Sequence, residues 1–228
     1  MATGKPKPKP KPKSQAVARA RKKQPPWLWI GVAGLVLVLA VAAIVSSGGG
    51  DENESAAGIE ETRTVSVTGD ALPEFDPGAS DDAAVGKTIP DVKGQSFDGS
   101  PVEITNDGKA KLIVFVAHWC PHCQKEIPLL ADYLKTNQLP AGVDLYTVST
   151  SVTSKQPNYP PSAWLEREGW TGKILADSGD QEAADAFGLS AFPYFIAVDG
   201  SGKVVARTSG EISPSQFAGL AQEALGNR

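Results

Sequence analysis

The only two cysteines and the only two histidines of this 228-residue chain fall within six positions, His118-Trp119-Cys120-Pro121-His122-Cys123. That clustering excludes a disulfide-rich miniprotein, whose cysteines are spread along the chain. It also argues against a structural zinc site, because four ligands would have to come from one cramped stretch. The residues leading into the motif, 111–117 (KLIVFVA), form a continuous apolar run, as expected of a strand buried on both faces. Beyond it, Ile127, Leu130 and Tyr133 recur at helical spacing, and Pro121 fits a first-turn position where its missing N–H costs nothing. The cysteines are therefore expected at a turn from buried strand to helix.

That setting gives the two thiols different expected roles. At a helix start, Cys120 lies at the positive end of the macrodipole beside unpaired backbone N–H groups, which stabilise its thiolate and make it the expected nucleophile. Cys123, one turn deeper on the same face, is close enough to pair with it and is the expected resolving cysteine. His122 can donate a hydrogen bond or a positive charge toward the Cys120 sulfur, and stabilising the reduced thiolate makes the pair a stronger oxidant. A permanent Cys120–Cys123 bridge would close too small a loop to be a useful staple. A copper(I) site using both thiolates with His118 or His122 is the other alternative, although neighbouring residues on one helical turn seldom converge on one ion. No metal and no dissociable cofactor are expected, because the cysteine pair is itself the redox carrier.

The rest of the chain is strongly polarised. Residues 1–45 hold nine Lys or Arg and no acid, which leaves thirteen basic against twenty-six acidic residues beyond them, a net of −13. Residues 1–26 alternate lysine with proline before a basic cluster, a composition that buries no core and reads as a cytoplasmic tail. Residues 27–45 (WLWIGVAGLVLVLAVAAIV) are free of charge for about 28 Å of helix, enough to span a bilayer. Trp27 and Trp29 suit the interface, and the preceding cations place the N-terminus in the cytoplasm and the remainder outside. A cleaved secretory signal with a small-residue site at Ala40-Val41-Ala42 is the alternative, against which stand the long leader and long apolar run. The basic tract adjoins this segment, so it is assigned to orientation and anionic lipid, and no nucleic acid is expected. Residues 46–83 open with SSGGGDENES and read as a flexible acidic tether, leaving residues 84–228 for one folded domain.

Within that domain, residues 88–105 carry a hairpin signature at Asp98-Gly99. Residues 143–148 read as a second buried strand, 162–169 as a short helix, 174–175 as a short strand and 181–187 as a helix. Residues 194–198 and 203–208 flank Asp199-Gly200-Ser201-Gly202 as a second hairpin. Ser213 and Gln216 fit a capping box around Pro214 for a last helix ending at Gly226. The order predicts an α/β fold, a mixed central sheet flanked by helices with an N-terminal β-hairpin extension.

Phe115 through Cys123 resembles the active-site strand and turn of thioredoxin-fold thiol–disulfide oxidoreductases, and the likeness extends over residues 84–228. Gly86-Lys87-Thr88-Ile89-Pro90-Asp91, Asp98-Gly99, Glu126-Ile127-Pro128, residues 188–193 and residues 199–202 are similar to the membrane-anchored TlpA/ResA-type branch. The Pro121-His122 dipeptide is instead the pair typical of DsbA-type oxidants. The resemblance implies a thioredoxin-like fold, with Pro193 as the family's cis-proline, whose loop meets an extended substrate together with Phe192 and Trp119. Tyr194 follows where relatives often carry threonine. Glu126 matches a glutamate that influences proton transfer, Pro128 a helix-kinking proline, and Val114 replaces the buried aspartate of thioredoxin. The expected activity is thiol–disulfide exchange on exported proteins, acting from the cell membrane with a membrane redox partner. Pro121-His122 favours oxidation, whereas the overall pattern favours reduction of the kind that serves cytochrome c maturation.

Overall fold

A computed structural model describes residues 58–226. The expected cytoplasmic tail, the span at 27–45 and the first part of the expected tether lie outside the described residues. Among the described residues no helix is long and apolar enough to cross a membrane. Eight strands form one sheet: β1 (Ser66–Thr68), β2 (Asp91–Gln95), β3 (Pro101–Ile104), β4 (Ala110–Val116), β5 (Val143–Ser149), β6 (Lys173–Ala176), β7 (Tyr194–Val198) and β8 (Val204–Ser209). Among the described residues, four helices accompany them: α1 (Pro121–Thr136), α2 (Pro161–Arg167), α3 (Glu182–Ala186) and α4 (Pro214–Ala224).

The strands lie in the order β1-β2-β6-β5-β4-β7-β8, with β3 paired to β2 as the expected hairpin. The central β4 runs parallel to β5 and antiparallel to β7. All seven of its residues are buried: six are apolar and alternate between two apolar layers, and the ammonium of Lys111 reaches Asp107 and the Lys109 carbonyl. Leu112, Val114 and Val116 face the layer built with α1, α2 and α4, including Ile127, Leu130, Trp164 and Phe217. Ile113 and Phe115 face the other, where the Phe115 ring lies 5.5 Å from those of both Phe187 and Tyr194. This is the mixed sheet flanked by helices of a thioredoxin-like fold. The capping box of α4 forms as expected, with the Gln216 N–H donating to Ser213 Oγ at 3.2 Å.

One expectation needs correction. Residues 58–83 are part of the folded unit and not a tether. Glu61 accepts hydrogen bonds from the Ser162 N–H (2.9 Å) and hydroxyl (2.6 Å) at the start of α2. Arg63 donates to the Phe97 carbonyl at 2.7 Å, and β1 pairs antiparallel with β2. Further on, the Leu72 N–H donates to the Ala186 carbonyl and the Phe75 N–H to that of Gly188, both at 2.9 Å. Gly188 adopts φ +69°, and a Cβ there would collide with the Pro73 carbonyl, so glycine lets the segment lie close. Arg207 of β8 completes the attachment: its guanidinium donates to Asp82 (Nε to Oδ2, 2.8 Å) and to the Pro73 carbonyl (2.8 Å). The segment is held by backbone and charged partners around a few well-spaced apolar anchors, Val65 and Leu72 among them. Its composition therefore resembles that of a linker.

Candidate active site

The site forms where β4 delivers its chain to α1. Cys120 is the N-cap of α1, with φ −71° and ψ 121°, and Pro121 takes the first helical position. The Cys120 N–H donates to the Ala117 carbonyl, and the Gln124 N–H donates to the Cys120 carbonyl, both at 3.0 Å. Where most helices place a capping hydroxyl or carboxylate, this one places a thiol with no side-chain cap bond, at the positive end of the helix. Both cysteines are free thiols. Cys120 retains 5 % exposure and Cys123 none, so an approaching sulfur meets Cys120 first. Burial pushes the Cys123 thiol well above its ordinary value of 9.0, and the neighbouring Cys120 and Glu126 add to the rise against a hydrogen bond with the Ala117 backbone. Cys123 therefore needs a base before it can act as a nucleophile.

The opposing wall comes from the turn before β7. The Phe192–Pro193 peptide bond is cis, and the Cys120 thiol lies 3.9 Å from the Phe192 carbonyl. The Trp119 ring meets that of Phe192 edge-on at 6.0 Å, and its indole N–H donates to the Ser151 carbonyl at 2.8 Å. Trp119, Phe192 and Pro193 thus gather around Cys120. Tyr194, next in sequence, points elsewhere: it is fully buried, donates to the Phe187 carbonyl at 3.2 Å and accepts from Arg207 at 3.0 Å.

Glu126 is almost wholly buried on α1, one turn beyond Cys123, and its carboxylate accepts the Ile212 N–H at 3.2 Å. Burial raises its carboxyl above the ordinary value of 4.5, the Ile212 bond lowers it, and Glu211 raises it further. Val114 is apolar in β4, and Glu126 is a buried carboxylate whose charge bears on the Cys123 thiol. Pro128 lies within α1 and Lys125 on its exposed side.

The two histidines separate. His118 is fully buried, with Nδ1 donating to the Pro157 carbonyl (2.7 Å) and Nε2 accepting the Thr153 N–H (3.2 Å). Both ring nitrogens are thereby occupied by the loop after β5, which leaves neither free to ligate a metal. His122 is exposed, and its Nδ1 lies 2.6 Å from Glu211 Oε1, which also lies 3.3 Å from Lys125 Nζ. The expected partner was the Cys120 sulfur; the hydrogen bond observed goes to Glu211. Those two contacts hold the Glu211 carboxyl below its ordinary value of 4.5. Sequence reasoning missed Glu211, which lies eighty-eight residues beyond the motif and carries no local signature. It also missed the role of His118 in fixing the neighbouring loop.

Residues 84–223 match the family model described as Redoxin. The chain belongs to the Redoxin family. This redoxin is 30% identical over 151 residues to a thiol:disulfide interchange protein DsbE homolog of Paracoccus denitrificans, covering 64% of the chain and 78% of that protein. It is 30% identical over 122 residues to the thiol-disulfide oxidoreductase ResA of Geobacillus thermodenitrificans, covering 53% and 67%. Among solved structures, it is similar to a thioredoxin-family thiol:disulfide interchange protein of Chlorobium tepidum, at 25% identity and a TM-score of 0.51, covering 62% of this chain and 97% of that one. The redoxin domain is thus a protein thiol–disulfide oxidoreductase of the DsbE/ResA type.

Proposed function

We propose that this protein exchanges disulfides with exported proteins from a tethered position on the outer face of the cell membrane, with Cys120 as nucleophile and Cys123 as resolving thiol. The observation that carries this reading is the asymmetry of the pair: Cys120 lies at the helix start facing Phe192 and Pro193, while Cys123 is sealed beside Glu126. When a substrate is reduced, the Cys120 thiolate attacks one sulfur of its disulfide, forming a mixed disulfide and releasing the other sulfur as a thiolate. Cys123 passes its proton to the Glu126 carboxylate and attacks Cys120 Sγ. That closes the Cys120–Cys123 disulfide and frees the second substrate thiol. Oxidation of a substrate dithiol runs through the same intermediate in reverse. Trp119, Phe192 and Pro193 bind the extended substrate, and the cysteine pair is the electron carrier without a dissociable cofactor. The uncharged run at 27–45 and its basic leader support the tether and the orientation, and a membrane redox partner would restore the pair after each turnover.

Pro121-His122 supports net oxidation of client thiols. Net reduction is the second reading, and a specific observation favours it: His122 Nδ1 is engaged by the Glu211 carboxylate, whose negative charge opposes a thiolate at Cys120. The equilibrium reduction potential of the full chain against glutathione separates them. A value near about −120 mV supports the oxidant, and one at or below about −270 mV supports the reductant.

A further inference from the structure

Three consecutive residues between β8 and α4 touch three separate parts of the site. The Gly210 N–H donates to the Pro193 carbonyl at 2.8 Å, Glu211 takes His122, and the Ile212 N–H donates to Glu126. Glu211 thus has a backbone fixed on both sides by active-site contacts. Together with His122, Ala191, Phe192, Ser209 and Gly210 it lines a shallow groove. The charged groups around the imidazole are Glu211 and, from its own helix, Lys125; Glu126 turns inward to Ile212, and the Ala191-Phe192 wall is uncharged.

We propose that Glu211 is a positioning residue that lowers the reduction potential of the Cys120–Cys123 pair by engaging the His122 imidazole at the rim of this groove. The assignment rests on the exchange reading above, with Cys120 as the reactive sulfur. Reduction of the disulfide by two glutathione molecules forms one oxidised glutathione and leaves two cysteines, with negative charge on Cys120 where it ionises. A donor or cation near that sulfur favours the reduced form, and an anion opposes it. While Nδ1 is committed to the Glu211 carboxylate, the imidazole offers Cys120 neither that proton nor an uncompensated charge. Exposure and salt screen the effect, so it is moderate.

The test is a double-mutant cycle on the full chain, equilibrated with glutathione buffers at pH 7 and quenched for thiol alkylation. Glu211→Gln should shift the equilibrium about tenfold toward the dithiol, equivalent to about 30 mV for a two-electron couple. In a His122→Ala background the same substitution should shift it by less than about threefold, because the group it positions is gone. The proposal is overturned if Glu211→Gln stays within twofold of wild type, moves the equilibrium toward the disulfide, or has as large an effect without His122. A wild-type pair inert to glutathione would overturn the exchange reading together with this assignment, an outcome distinct from the other three.

Discussion

Arg207 in β8 and Glu211 just beyond it lie four residues apart, and each pairs with a charge from a distant segment. The side chain of Arg207 is 1% exposed, and it binds Asp82, the Pro73 carbonyl and the Tyr194 hydroxyl together. Glu211 is 40% exposed and meets His122, itself 59% exposed, at the mouth of the reactive groove. In the first region the guanidinium is cut off from water and the carboxylate is only partly exposed, so each depends on the other and the pair holds a chain segment in place. In the second, water solvates both partners and the pair adds little to stability, yet it controls which group the imidazole serves. Burial thus decides whether a charge pair bears on folding or on reactivity.

The largest expected effect comes from breaking the buried pair. Arg207→Met strands the Asp82 carboxylate and two further acceptors, and should cost about 3 kcal/mol, read as a drop in the urea midpoint. A loss below about 1 kcal/mol would erase the contrast between the two regions. The same pair has a signature in acid. Burial opposes ionisation of Asp82, but hydrogen bonds from Arg207 and the Ala84 N–H, with the guanidinium charge, outweigh it and hold the carboxyl below 3.8. A lowered folded-state pKa contributes stability that is complete above the unfolded value and lost as pH falls through the folded one. The gap between wild type and Arg207→Met should therefore be widest near neutrality and close below about pH 4.

Glu126 stands between the two extremes, since it is buried and its charge bears on Cys123. Glu126→Gln should slow closure of the Cys120–Cys123 disulfide from a preformed mixed disulfide by about a hundredfold at neutral pH, measured by rapid quench. Its carboxyl is raised by burial, so stability is lost as pH rises from 4.5 through the folded-state value, and the glutamine variant should lack that loss. The smallest effect is expected at the exposed pair: Glu211→Gln should leave the urea midpoint indistinguishable from that of the wild type, in contrast to its effect on the redox equilibrium.

The legible parts of this fold are those where the pattern is local. β4 was readable because five consecutive apolar residues, Leu112 to Val116, fill most of it, and α4 because Ser213, Pro214 and Gln216 mark its start within four residues. The Cys120 helix start was equally plain from Pro121. The attachment of residues 58–83 was not, because Glu61, Arg63 and Asp82 find partners at Ser162, Phe97 and Arg207, more than thirty positions away. The same distance hid Glu211, the partner that His122 Nδ1 takes in the structure. Tyr194 is a comparable case: nothing local marks it as more than the residue after Pro193, whereas the Arg207 network draws its hydroxyl into the core.

The central claim is the division of labour between the two sulfurs, and trapping tests it most directly. In the full chain, Cys123→Ser leaves a mixed disulfide at Cys120 with nothing to resolve it, and should accumulate disulfide-linked client proteins that reductant releases. Cys120→Ser, with Cys123 sealed at zero exposure, should accumulate none. Equal capture by the two variants, or capture by Cys120→Ser alone, would contradict the account.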